Sequence, residues 1–278
     1  MSRRPFAVMI TAALIAVFWY VGSGSSRTEA QTQQPAQQSA PPPSNPTTEQ
    51  YKRDVGLEVD GMREDIARMN DQVFSFAELG FQEFETSKYL TDILRKNGFT
   101  IQENLAGIPT AFMASWGSGK PVIAMGSDID CIPQASQKPG VAYHEAMIDG
   151  APGHGEGHNS GMPLQIAAAL AVKKVMEQRK LPGTIKLWPG VAEELLGTKA
   201  YYVRAGAFKD VDVVLFAHVG ANMNVGWGDS GGNGMVSVEY TFKGESAHAA
   251  GAPWRGKSAL DAVAVSYTHL TLPTILRV

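Results

Sequence analysis

Gly153-His154-Gly155-Glu156-Gly157-His158-Asn159 is the stretch on which the reading of this 278-residue chain turns. It packs two imidazoles and a carboxylate into a glycine-rich turn. Glu156 and His158 are two residues apart, and their side chains can converge on one ion if Gly155 and Gly157 loosen the backbone between them. A carboxylate pair, Glu193-Glu194, follows after one expected helix, and His218 follows after another. Histidines and carboxylates recurring at successive returns of an α/β chain form the donor set of a zinc hydrolase. Adjacent glutamates point in different directions, so one can hold metal while its neighbour moves a proton.

The surrounding pattern fits that chemistry. Helices are expected over 62–81, 85–97, 162–178 (with Pro163 in its first turn) and 198–205. Strands are expected over 99–103, 110–116, 121–125, 183–188 and 211–216. Strands alternating with helices predict an α/β fold with a mixed, largely parallel sheet flanked by helices. Binding groups then belong at the carboxyl ends of the strands. Asp128 and Asp130, the Glu193-Glu194 pair and His218 all fall there. Asp128 and Asp130 are read as carboxylates that orient a metal-binding histidine rather than bind the metal themselves. His144 and His154 are expected in surface or loop roles. Cys131 has no base near it in sequence and is not read as a nucleophile.

Composition bounds the rest. A formal net charge of -3, with no basic run beyond the N-terminus, argues against a nucleic-acid partner. A single cysteine excludes an intramolecular disulfide framework. Residues 1–30 read as a signal peptide or N-terminal anchor. Arg3-Arg4 precedes an apolar run from Ala7 to Val21, shorter than the about 20 residues of a spanning helix. Ser2-Arg3-Arg4-Pro5-Phe6 is similar to a twin-arginine signal, so export to the periplasm or cell exterior is expected, with membrane anchoring as the rival. Residues 31–50, rich in Gln, Pro, Ser and Thr, read as a disordered linker. A catalytic domain is expected over 51–222. After it the texture changes: a strand over 235–242, the Ser246-Ala247-His248-Ala249-Ala250 segment and a helix over 257–265 read as the start of a second domain over 223–265.

Several ordered segments carry a family resemblance. They are Phe76-Ala77-Glu78-Leu79-Gly80-Phe81-Gln82-Glu83, Ala106-Gly107-Ile108-Pro109-Thr110-Ala111-Phe112 and Gly150-Ala151-Pro152-Gly153-His154-Gly155. Gly157-His158-Asn159, Ala192-Glu193-Glu194 and Ser246-Ala247-His248-Ala249-Ala250 complete the set. Through them the chain resembles the co-catalytic zinc amidohydrolases of peptidase family twenty, in particular their aminobenzoyl-glutamate utilisation branch. The resemblance implies two divalent metal ions, zinc by expectation, in an α/β catalytic domain with an inserted dimerisation domain. It implies Glu193 as general base and acid, Glu156, His158, Glu194 and His218 as metal ligands, and His248 as a substrate-binding residue offered by the insertion, often across a homodimer. The implied reaction is hydrolysis of an amide bond in N-acyl or aminobenzoyl amino acids or small peptides.

Two departures from the family pattern bear on that reading. Relatives usually carry cysteine where this chain has Glu156. A carboxylate also binds zinc, but it is a harder ligand and favours manganese or cobalt. The family also takes a late histidine ligand from a C-terminal part that this chain does not include. The β-branched, proline-broken stretch 266–278 is accordingly expected to be a non-native tail on the front part of a longer enzyme. The same departures motivate the alternative expectation, a non-catalytic exported ligand-binding protein on the same scaffold.

Overall fold

The computed structural model describes residues 45–195, 197–228 and 238–269. The expected leader (1–30), most of the linker, the start of the strand expected over 235–242 and most of the 266–278 stretch lie outside the described residues. The chain divides into two compact units, 1–49 and 50–278. In the first, Asn45 accepts the Thr47 N–H at 2.9 Å on its side-chain oxygen, and Pro46 opens a helix. An asparagine cap with proline at the first helical position is a start signal, so a helix begins within the last residues of the stretch expected as linker.

That helix, α1 (Pro46–Gly61), is followed by α2 (Arg63–Phe76) and α3 (Phe84–Lys96). The expected helix over 62–81 stops five residues early because Ala77 turns left-handed, with φ 48°. Glu78 is thereby released to cap α3: its two carboxylate oxygens accept the N–H groups of Glu85 and Thr86, each at 2.9 Å. A carboxylate at a helix start satisfies orphan donors and complements the helix dipole.

Strands β1 (Thr100–Glu103), β2 (Phe112–Ser118), β3 (Val122–Asp128), β4 (Gly183–Gly190) and β5 (Val213–Phe216) form one sheet in the order β1-β2-β4-β3-β5. The sheet is mixed: β3 runs parallel to both β4 and β5, while the β1–β2 and β2–β4 pairings are antiparallel. Two of four pairings are therefore parallel, fewer than the alternating pattern predicts. The chain enters through a β1–β2 hairpin-like pair before the crossovers begin.

The long helix α4 (His158–Arg179) packs on β3 and buries Met162, Ile166 and Ala169, the i, i+4, i+7 stripe of a helix facing a sheet. It starts four residues before the expected 162, so Pro163 lies in its second turn. A proline there costs the hydrogen bond to the residue-159 carbonyl. The helix start is fixed instead by tertiary bonds, His158 to Asp130 and Asn159 to Asn70. Gly161 lets the helix approach β3, since a β-carbon there would collide with the Ser127 hydroxyl.

Helix α5 (Thr198–Ala205) places Tyr202 in the core against Trp188 at the end of β4. On edge strand β5, Val213, Val214, Leu215 and Phe216 all remain exposed. Residues 238–242, expected as part of a strand, adopt none. A two-residue bridge pairs Glu245 with Lys257, and α6 spans Ala259–His269. Among the described residues no helix is long and apolar enough to cross a membrane.

Two outcomes follow from this packing. Leu187 is fully buried at the centre of β4, so Leu187→Ala is expected to cost about 2–5 kcal/mol in chemical denaturation. Cys131 is 2% exposed, and burial, with Asp130 and Glu78 beside it, pushes its thiol up to about 12. Its labelling by a thiol-disulfide reagent is expected only on the timescale of unfolding; fast labelling of the native protein would show that this part of the core is open.

Candidate active site

The three mutually parallel strands end on the same side of the sheet, and the chemistry-bearing residues lie just beyond those ends. β3 leads into Asp128, Ile129 and Asp130, β4 into the Glu193–Leu195 turn, and β5 into His218. The fourth contribution is His158, the first residue of α4, which is buried. Gly157 precedes it with φ 75°, a conformation in which glycine carries no β-carbon penalty.

Two groups of potential ligands converge here. Asp128, His158 and His218 form one; Glu156, His158, Glu193 and Glu194 form the other. Within each group, one ligand atom per residue lies within 4.8 Å of the rest. His158 belongs to both. Its Nε2 is 3.1 Å from Nε2 of His218, and the Glu156 carboxylate lies 3.8 Å from the first and 3.9 Å from the second.

Hydrogen bonding decides what those nitrogens offer. His158 Nδ1 donates to the Asp130 carbonyl oxygen at 2.9 Å and lies 3.4 Å from the Asp130 carboxylate. His218 Nδ1 donates to the Val219 carbonyl at 2.7 Å. With its Nδ1 proton so engaged, His218 presents a bare lone pair at Nε2, aimed at Nε2 of His158. A proton on His158 Nε2 can be donated across that contact, and a divalent ion would take the place of that proton.

The carboxylates express the same demand. Burial, and then the Glu156 charge, push the Glu194 carboxyl up. Burial pushes Asp128 up against the pull of Lys199, whose ammonium hydrogen-bonds it at 3.0 Å. At His158 burial opposes protonation, yet the Asp130 bond and the Asp128 charge outweigh it and raise the ring to about 9. The carboxylates draw positive charge to this place, as the raised His158 ring shows, and the N and O donor set suits a divalent ion of the zinc, manganese or cobalt class. The residues present therefore fit a metal.

Asp128, Glu156, His158, Glu193, Glu194 and His218 lie together, while His248 was expected outside the ligand set, in the second domain. His248 belongs to neither group; it is exposed and its Nδ1 accepts the Gly251 N–H at 2.8 Å. Asp130, expected as an orienting carboxylate, meets His158, and its Oδ2 accepts the Glu194 N–H at 3.0 Å. His144 is exposed. His154 lies in a loop, one of its two expected places, but not on the surface. It is buried, its Nε2 donates to the Val73 carbonyl at 3.1 Å, and burial lowers its pKa to about 4, so the ring is neutral.

Two further residues escape a reading of sequence alone. Lys199, on α5, pairs with Asp128 and lies over the Phe216 ring. Glu83, fully buried, reaches the start of the Glu193 turn through the Ala192 N–H. Only a G-T-K run after the paired glutamates hints at the first, and no local signal marks the second.

Comparison with known proteins agrees with this geometry. No family model matches the chain. A p-aminobenzoyl-glutamate hydrolase component of Escherichia coli is 39% identical over 216 residues, 77% of this chain and 44% of that protein. The Xaa-Arg dipeptidase of Mus musculus is 31% identical over 230 residues, 81% of this chain and 50% of that protein. The chain thus spans about half the length of the curated relatives it matches. In fold it is similar to the Bacillus subtilis YXEP protein, a dinuclear metal binding peptidase from the M20 family. The TM-score is 0.50 at 22% identity, over 60% of this chain and 45% of that one. Over most of its length the chain is thus similar in sequence to a p-aminobenzoyl-glutamate hydrolase component and an Xaa-Arg dipeptidase, and in fold to a dinuclear metal binding peptidase.

Proposed function

We propose that the whole protein hydrolyses an amide bond in N-acyl or aminobenzoyl amino acids, or in small peptides, with two divalent metal ions. The observation that carries this reading is the pair of imidazole nitrogens 3.1 Å apart, with Glu156, Glu193 and Glu194 gathered about His158. The names of the relatives, an aminobenzoyl-glutamate hydrolase and an Xaa-Arg dipeptidase, support an amide adjoining an amino acid as the bond cleaved.

In this proposal Glu156, His158, Glu194 and His218 hold the metal. Asp130 fixes the His158 ring so that Nε2 faces the ion, and Asp128, neutralised by Lys199, adds charge behind it. A divalent ion bound there supplies Lewis acidity to an amide carbonyl and to an attacking water. Glu193 accepts the proton of that water and returns it to the departing nitrogen. His248 contacts the substrate carbonyl or carboxylate, with a homodimer as the assembly that presents it. The basic start and apolar run of residues 3–21 support export from the cytoplasm.

Glu193→Gln is expected to lower kcat for aminobenzoyl-glutamate hydrolysis by about 10²–10⁴-fold while metal content stays constant; unchanged turnover would remove Glu193 from the mechanism. His158→Ala is expected to abolish the rise in melting temperature that zinc or manganese gives the metal-free protein, because ligands that bind only the folded state stabilise it. Glu156 makes the donor set harder than a thiolate would. Manganese is accordingly expected to reactivate metal-free protein better than zinc, and Glu156→Cys to reverse that order. Equal reactivation by the two ions would count against this role of Glu156.

A further inference from the structure

We propose that Glu83 is a positioning residue for the acid–base turn: its buried carboxylate holds the Ala192 backbone in a left-handed conformation, and this sets where Glu193 and Glu194 point. The proposal rests on the reading of Glu193 as the proton carrier.

Ala192 has φ 50°, a region that crowds a β-carbon and that residues other than glycine seldom occupy. It directly precedes the two glutamates, so any relaxation of its φ would swing both side chains. Something must hold it. Glu83 Oε1 accepts the Ala192 N–H at 2.7 Å, a charge-assisted bond. Its other oxygen accepts the Thr110 hydroxyl at 2.9 Å, which fixes the carboxylate from the opposite side. Two residues on, Asp130 accepts the Glu194 N–H at 3.0 Å, and Leu195 N–H returns to the Ala192 carbonyl at 3.1 Å. The turn is therefore gripped at both ends by buried carboxylates. Packing leaves it no slack, since a β-carbon on Gly80 would come within 2.9 Å of Ala192 Cα.

The position of Glu83 strengthens the case. It is the N-cap residue of α3 yet makes no side-chain cap bond; Glu78 does the capping instead. Glu83 is 0% exposed, and among the described residues no lysine, arginine or histidine forms an ion pair with it. A buried carboxylate with no cation is costly. A purely structural stitch between the start of α3 and the turn before β2 would need only the bond to Thr110, which a neutral amide can make. The carboxylate is accounted for by its second bond, to the strained turn.

The test uses Glu83→Gln, which keeps the volume and weakens the bond. By NMR on metal-free protein, exchange of the Ala192 amide is expected to rise about tenfold or more, with the Asp130-bonded Glu194 amide less affected. In the whole enzyme kcat is expected to fall about tenfold or more, with KM within about twofold and metal content unchanged. Adding Ala192→Gly, which removes the β-carbon penalty, is expected to recover part of kcat. A lower melting temperature with unchanged kcat, or a fall in kcat that Ala192→Gly does not relieve, would overturn the proposal and leave Glu83 a stability residue. Should Glu83→Gln not fold, Glu83→Asp, which keeps the charge but shortens the reach, is read in the same way. If instead Glu193→Gln keeps full turnover, the acid–base assignment is what fails, and the Ala192 exchange rate still reports whether Glu83 grips the turn.

Discussion

Like charge gathered at one edge of a sheet is the constraint around which this structure is organised. Asp128 and Asp130 are buried beyond β3, Glu83 is buried beside them, and Glu156, Glu193 and Glu194 stand within reach of one histidine. Among the described residues, Lys199 is the one lysine or arginine paired with any of these six carboxylates. Burying charge without compensation is unfavourable by several kcal/mol per group, on the order of what a whole domain can spare. The fold tolerates it because backbone N–H groups and two imidazoles absorb part of the charge. The remainder is what a divalent ion would balance.

Asp130 links the parts. Its carbonyl sets the tautomer of His158, and its carboxylate holds the turn that carries Glu194. One buried residue thus orients ligands from two different elements, and Glu83 extends the same device by two residues. In the proposed mechanism these groups act by orienting the ligands and the proton carrier, as outer groups do in metal sites generally.

Much of this was legible in the sequence. The 153–159 stretch, the paired glutamates and the strand-end histidine announce themselves because donor residues and glycines are adjacent in the chain. Parallel strands then bring their ends together without further instruction. What escaped depends on pairings across long separations. Glu83 and Ala192 are 109 residues apart, and Lys199 and Asp128 are 71 apart. Neither partner looks unusual alone. The early start of α4 escaped for a related reason: Pro163 argues locally for a later start, and only the His158–Asp130 and Asn159–Asn70 bonds overrule it. The burial of His154 escaped too: nothing in its neighbours shows that the carbonyl of Val73, 81 residues earlier, would meet its ring.

The central claim is that the facing imidazoles are held for a metal. Anomalous diffraction at the zinc edge, from crystals of the protein soaked in zinc, tests it most directly. The account predicts a strong peak within bonding distance of Nε2 of both His158 and His218, with the two nitrogens moved apart from their 3.1 Å contact. Density showing the two rings still in direct contact, with no anomalous peak between them and the Glu156 carboxylate, would contradict it.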